Sequence, residues 1–308
     1  METSKPVFKD IFFSARDGLR LYARHYAPTT PAHRRKQTRP VLCLAGLTRN
    51  SRDFHEVAQA LSQHPTSPRD VYTLDLRGRG LSEHDADWKN YAVPVEMHDV
   101  IDFMTVTNLF DAGIIGTSRG GLITMVLAAV QPGRIGAVVL NDIGPVIDRD
   151  GLVRIASYVG RIPTPKTWPE AARIVRDLTK RDFPNLTDGD IEIFTRQLFN
   201  DRNGKPISGY DSKLAKSLSM FDGPIPALWP QFGALKPVPV LVIRGANSDL
   251  LSESTVLEMQ KRHPKLSHVT VPAQGHAPLL NDAPTISSIA KFFSDTDPIG
   301  DKVTSHAA

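Results

Sequence analysis

From Val41 onward the chain repeats one unit, a short apolar run followed by an amphipathic segment, and few architectures accommodate that alternation. The runs "VLCLAGL", "DVYTLDL", "AGIIGTS" and "IGAVVLND" are nearly continuous in apolar residues, as strands buried on both faces are. Between them "SRDFHEVAQALSQH", "PVEMHDVIDFMTV" and "GLITMVLAAVQ" read as helices. Such a sequence implies a parallel sheet covered on both faces. Upstream, β-branched and aromatic runs from Val7 to Tyr26 flank "ARDG", which puts Asp17-Gly18 in a turn and predicts an opening hairpin.

The alternation stops between Val146 and Leu235, where "PEAARIVRDLTK" and "DGDIEIFTRQLFN" read as successive helices with no strand between them. It resumes with "VPVLVIRGANSDLLS", "SESTVLEMQKRH", "SHVTVPAQG" and a last helix around "APTISSIAKFFSD". The expected organisation is an α/β core formed by residues 1–145 and 236–295, a helical insertion over 146–235, and a flexible polar tail over 296–308. The count comes to about eight strands, the first two forming the hairpin.

Composition narrows the function classes. Hydrophobic residues make up 41% of the 308, enough for a substantial buried core. The net charge of +4 is spread among nearly as many acids, and the densest basic stretch, "AHRRKQTRP", reads as an exposed loop without interleaved aromatics, so no nucleic-acid partner is expected. Cys43 is the only cysteine, which excludes an intrachain disulfide and a cysteine metal site. No apolar stretch approaches the ~20 residues that span a bilayer, and "METSKPVFKD" lacks the apolar centre of a signal peptide. A cytoplasmic location without a membrane span is expected; the oligomeric state is not legible.

Gly116-Thr117-Ser118-Arg119-Gly120 fits G-x-S-x-G, with a buried strand before it and an apolar helix after it. There the serine occupies a strained strand-to-helix turn, small residues two before and two after avoid collision, and the helix N-terminus favours an oxyanion beside the hydroxyl. Gly121 would let the helix pack close to the strand, and the side chain of Arg119 has no role that the pattern explains. The bland alternative is a glycine-rich junction whose serine merely caps the helix.

A serine nucleophile needs a base and the base needs a carboxylate. Of ten histidines, His55 and His98 fall in helices, His25 on an early strand, and His33 and His64 in polar connections. His276, in "VTVPAQGHAPLL", follows the last strand at the carboxyl edge of the sheet and is the candidate base. Asp249, in "VLVIRGANSDLLS", is favoured as the acid because it gives the order Ser118, Asp249, His276; Asp142, at the end of "VVLND", is the alternative.

With these segments in place the chain resembles the α/β-hydrolase superfamily from about Val7 to Phe293, and in particular its capped bacterial serine esterases and lactonases. "LDLRGRGLS" looks like that family's D-x-R-G-x-G-x-S turn, in which Asp75 and Arg77 would organise loops. "LAGLTRNSRDF" looks like its oxyanion-hole loop, although Ala45 stands where many members carry a histidine. The resemblance implies that the backbone N–H groups of Leu47 and Arg119 are the oxyanion donors. It also identifies the insertion as a cap, with Phe221 and Trp229 as candidates for lining an apolar substrate pocket.

The reaction expected is hydrolysis of carboxylic esters through an acyl-enzyme, on a small-molecule or polymeric ester. Lactones, polylactide-like polyesters, or a low-turnover receptor on the same fold are the alternatives. Serine at position 118 argues against the dehalogenases and epoxide hydrolases that resemble this scaffold and use a carboxylate nucleophile. "GHAPLL" lacks the tryptophan beside the histidine of carbon–carbon bond hydrolases. No cofactor and no metal are expected, since "GTSRGG" has neither the P-loop lysine nor G-x-G-x-x-G spacing.

Overall fold

The structure, a computed structural model, describes residues 7–31, 36–218 and 226–298. The chain opens with the antiparallel pair β1 (Lys9–Ser14) and β2 (Arg20–Tyr26), joined through a turn in which Gly18 has φ 86°. There follow β3 (Val41–Leu44), α1 (His55–Ser62), β4 (Val71–Asp75), α2 (Val93–Val106), β5 (Ala112–Thr117), α3 (Arg119–Val130) and β6 (Ile135–Asn141). The insertion comes next, with α4 (Arg149–Tyr158), α5 (Trp168–Thr179), α6 (Asp188–Leu198), the hairpin β7 (Phe199–Arg202) and β8 (Lys205–Ser208), α7 (Leu214–Leu218) and α8 (Trp229–Gly233). The core closes with β9 (Val240–Gly245), α9 (Glu253–Arg262), β10 (Leu266–Val271) and α10 (Ala283–Thr296).

Eight strands form one sheet in the order β1-β2-β4-β3-β5-β6-β9-β10, antiparallel at β1/β2 and β2/β4 and parallel from β4 to β10. This is the mostly parallel sheet, covered by helices on both faces and opened by a hairpin, that the alternation implies. Successive side chains of a strand point to opposite faces, which divides the core in two. Leu42, Leu44, Ile114, Val138 and Leu140 pack under α2, α3 and α9, whereas Val41, Cys43, Ile115, Val139 and Ile243 pack under α1 and α10. The apolar runs are continuous because both faces need them.

Two features depart from the sequence expectation. The insertion contains a β-hairpin as well as helices, turning at Asn203-Gly204 with φ 53° and 78°. Asn-Gly is the residue pair that a two-residue hairpin turn favours, so "DRNGKP" carried the signal. The folded part of the chain also continues past position 296, where the tail is expected to begin. Helix α10 runs through Thr296, and Asp297 is buried in a two-pronged pair with Arg69 at 2.9 and 3.0 Å; positions 299–308 lie outside the described residues. Among the described residues no helix is long and apolar enough to cross a membrane.

Within the insertion, α5 and α6 pack on each other through Ala171, Val175, Ile191 and Leu198, a small apolar core of their own. Helix α6 starts with a reciprocal cap between Thr187 and Asp190. The neck is narrow: Leu228 N–H donates to the Pro145 carbonyl at 2.7 Å, bringing the outgoing and returning chains together beside β6.

Candidate active site

Strand β4 lies on one side of β3 and β5 on the other, so the loops leaving β3 and β5 diverge and open a crevice at the carboxyl edge of the sheet. Ser118 stands there, between β5 and α3, with φ 50° and ψ −111°, a backbone region that residues with side chains rarely enter. Its neighbours must be small. A Cβ on Gly116 would lie 2.7 Å from the Cα of Gly121, and one on Gly120 would overlap the Leu44 carbonyl. A Cβ on Gly121 would overlap Ile143, so this glycine lets α3 settle against the sheet.

The ring of His276, in the loop after β10, bridges Ser118 and Asp142. Ser118 Oγ is 2.8 Å from Nε2, and Nδ1 is 2.8 Å from Asp142 Oδ2. An ionised carboxylate only accepts, so Nδ1 carries the proton and Nε2 is left to accept from the serine hydroxyl. Asp142 is fully buried and accepts twice more, from Gly245 N–H at 2.8 Å and from Ser248 Oγ at 2.6 Å. Asn141 donates from Nδ2 to Thr117 Oγ1 at 3.1 Å and to the Pro278 carbonyl at 2.9 Å, tying the histidine loop to the serine turn.

Asp249, favoured from chain order, is not the partner of His276. Its carboxylate is held by Arg154 of α4 at 2.6 and 2.8 Å, and that guanidinium keeps the Asp249 carboxyl below the usual carboxylate range. The reason for the difference is topological. Strand β6 is hydrogen-bonded directly to β5, so its end emerges one strand from the nucleophile, whereas β9 lies one strand further out. The loop after β9 still serves the site, through Ser248 rather than its neighbour.

Leu47 lies in the loop after β3, next to Gly46, where an added Cβ would sit 3.7 Å from the Ser118 Cβ. Arg119 is the first residue of α3. Among the described residues no backbone carbonyl takes the N–H of either. The Arg119 side chain is buried, donating from Nε to Glu96 at 2.7 Å and from Nη2 to the Tyr91 carbonyl at 2.9 Å. Asp75 accepts from Ser51 and Leu81 N–H at 2.6 and 2.8 Å, and Arg77 is gripped by Asp17, Asp85 and Asp99, so both hold loops around the crevice.

A cavity of about 150 Å³ opens in front of Ser118 and His276. The core contributes Leu47, Arg49 and Asp53, and the insertion contributes Arg154, Tyr158, Leu178, Phe183 and Phe194. Trp229 is not among the lining residues. It packs edge-on against Phe232 at 5.9 Å, with the Arg262 guanidinium 3.9 Å from its ring centre, on the side of the core covered by α9. Phe221 lies outside the described residues. The lining comes instead from α4, α5 and α6, whose amphipathic pattern in the sequence does not tell a face turned to the cavity from one turned to the insertion's own core. Among the described residues no group of three or more His, Cys, Asp or Glu converges as a metal site would require.

The profile of the α/β-hydrolase fold family matches residues 39–283. The chain is 34% identical over 270 residues to a 3-hydroxybutyrate-oligomer hydrolase of Cupriavidus necator, covering 83% of this chain and 88% of that protein. It shares 25% identity over 242 residues with an sn-1-specific diacylglycerol lipase of Xenopus laevis, 77% of this chain and 73% of the lipase. Among solved structures, an α/β hydrolase from Novosphingobium aromaticivorans superposes with a TM-score of 0.85 at 35% identity, over 94% of this chain and 99% of that one.

Proposed function

Because this chain belongs to the α/β-hydrolase fold family, we propose that it cleaves carboxylic ester bonds through an acyl-enzyme, with Ser118 as nucleophile, His276 as base and Asp142 as its acid. The observation that carries the reading is the unbroken chain of hydrogen bonds from Ser118 through His276 to buried Asp142. Nε2 takes the Oγ proton as Oγ bonds to the ester carbon, and the carbonyl electron pair moves to oxygen. The N–H groups of Leu47 and Arg119 receive that oxyanion, and loss of one such donor costs roughly 10²–10³ in turnover. Collapse expels the alcohol, which leaves with the proton from Nε2. A water activated by the same nitrogen then attacks the acyl-enzyme, releasing the acid and restoring Ser118. Asp142 remains ionised throughout and stabilises the imidazolium.

The insertion serves as a cap: its residues form one wall of the cavity, so substrate reaches Ser118 beneath α4, α5 and α6. The substrate class supported best is esters of hydroxy acids, including short linear oligomers, on the strength of the similarity to the Cupriavidus necator enzyme. Lactones and polylactide-like oligoesters present the same carbonyl chemistry and belong in the same screen.

The test is direct. A fluorophosphonate probe is expected to label Ser118, and Ser118→Ala to abolish hydrolysis of short-chain p-nitrophenyl esters. Dimers and trimers of 3-hydroxybutyrate, simple lactones and oligolactides, assayed side by side, rank the substrates. Saturable binding of a small molecule with neither labelling nor turnover would replace this reading with that of a receptor.

A further inference from the structure

Leu47 and Arg119 share a support that lies in neither of their motifs. Glu96, in the first turn of α2, is fully buried. Its Oε2 accepts from Arg119 Nε at 2.7 Å and its Oε1 from Arg79 Nη1 at 2.6 Å. Arg79, also fully buried, donates from Nε to the Leu47 carbonyl at 2.7 Å. One carboxylate thereby ties the loop after β3 to the head of α3.

We infer that Glu96 is a positioning residue which, through Arg79 and Arg119, sets the spacing of the two oxyanion donors. The inference rests on the ester-hydrolase reading. An oxyanion hole works only when both donors converge on an oxygen that exists in the transition state and not before. Sheet pairing holds the two segments in register at Leu44 and Gly116, and both donors lie beyond that pairing, Leu47 in the loop after β3 and Arg119 at the head of α3. Something other than the sheet must fix the distance between them, and the Arg79–Glu96–Arg119 bridge spans it.

The energetics point the same way. Apolar groups of equal volume commonly stabilise a fold as well as a buried charge network does. Here, among the described residues, Nη2 of Arg79 is buried without an acceptor, a cost that packing alone does not repay. Burial by itself would raise the Glu96 carboxyl, but the Arg119 and Arg79 guanidiniums outweigh it and hold the group below its ordinary value, so it stays ionised.

The experiment compares wild type with Glu96→Gln, which keeps shape and removes charge, and Arg119→Lys, which loses the Nε arm and keeps the backbone N–H. Affinity for phenylboronic acid is measured by titration calorimetry, because its tetrahedral adduct on Ser118 places an oxygen at the oxyanion position. Turnover of p-nitrophenyl butyrate and the melting temperature complete the set. The expected result is a parallel loss of boronate affinity and kcat of about tenfold to a hundredfold, with KM nearly unmoved. If either variant folds and only its melting temperature falls, Glu96 is structural and the inference is overturned. If wild type binds boronate but hydrolyses no ester, the ester-hydrolase reading fails while the boronate affinities still decide the bracing. A wild type that does neither removes both.

Discussion

Two aspartates reach the neighbourhood of His276, and their side chains are committed by different surroundings. Asp142 directly follows β6 with φ 55°, and its carboxylate meets His276, Ser248 and Gly245. Asp249 is occupied by Arg154. Asp142→Asn is therefore expected to lower kcat about 10⁴-fold, since the amide favours the wrong tautomer of the histidine. Asp249→Asn should leave kcat within a few-fold, with circular dichroism confirming that both variants fold; the reverse ranking would refute the assignment. Ser118 and His276 stand out in the sequence because local chemistry marks them: glycines around a strained turn, and a loop after the last strand. Asp142 and Asp249 both follow strands at the carboxyl edge of the sheet, and chain order favours Asp249; the order of the strands in the sheet, which the sequence pattern does not carry, favours Asp142. Glu96 was harder still, because it reads as one more acidic residue in the first turn of a helix.

At the scale of elements, α3 and the loops around it tolerate little change. Gly120 lies so close to β3 that Gly120→Ala must push α3 off the Leu44 carbonyl. A loss of about 1–3 kcal/mol in urea denaturation is expected, together with reduced turnover as Ser118 shifts. The contact between the loop after β9 and α4 is electrostatic. Arg154 holds the Asp249 carboxyl below its ordinary value, so the folded pKa is depressed relative to the unfolded one. The stabilisation is then complete above the unfolded value of about 3.9 and disappears as the pH falls through the folded value. Asp249→Asn is expected to lower the melting temperature at neutral pH and to flatten its decline in acid, which thermal scans from about pH 2 to 7 would reveal. Periodicity made the core helices and strands legible because each buries a continuous face. The hairpin β7–β8 buries only Phe199 and Pro206, so its signal was a turn dipeptide rather than an apolar pattern.

For the molecule as a whole, the parallel sheet and its two-faced core follow from the strand-helix alternation, whereas the order of the strands does not. Nor does the closure of the chain. Asp297 ends the last helix by pairing with Arg69, each side chain about 1% exposed, and Arg39 N–H donates to the same carboxylate at 3.1 Å. This joins α10 to the segments that enter β3 and β4. Asp297→Ala leaves the Arg69 charge buried alone and is expected to cost about 3–5 kcal/mol, measurable by urea denaturation, with kcat unchanged in the folded fraction. From composition, "DTDPIG" reads as the start of a polar tail, because the arginine that buries its aspartate lies far away in sequence.

The neck at Pro145 and Leu228 also divides the labour between scaffold and insertion. Ser118, His276, Asp142, Leu47, Arg119 and Glu96 all fall outside the segment between those two residues, whereas much of the cavity wall falls within it. A graft cut at these seams would replace much of the cavity wall, and it would strand several groups of the core at once: Asp249 would lose Arg154, the Tyr91 hydroxyl would lose Asp211, and Arg52 would lose the Gln197 carbonyl. Any donor segment intended for this scaffold should carry a partner for each of them.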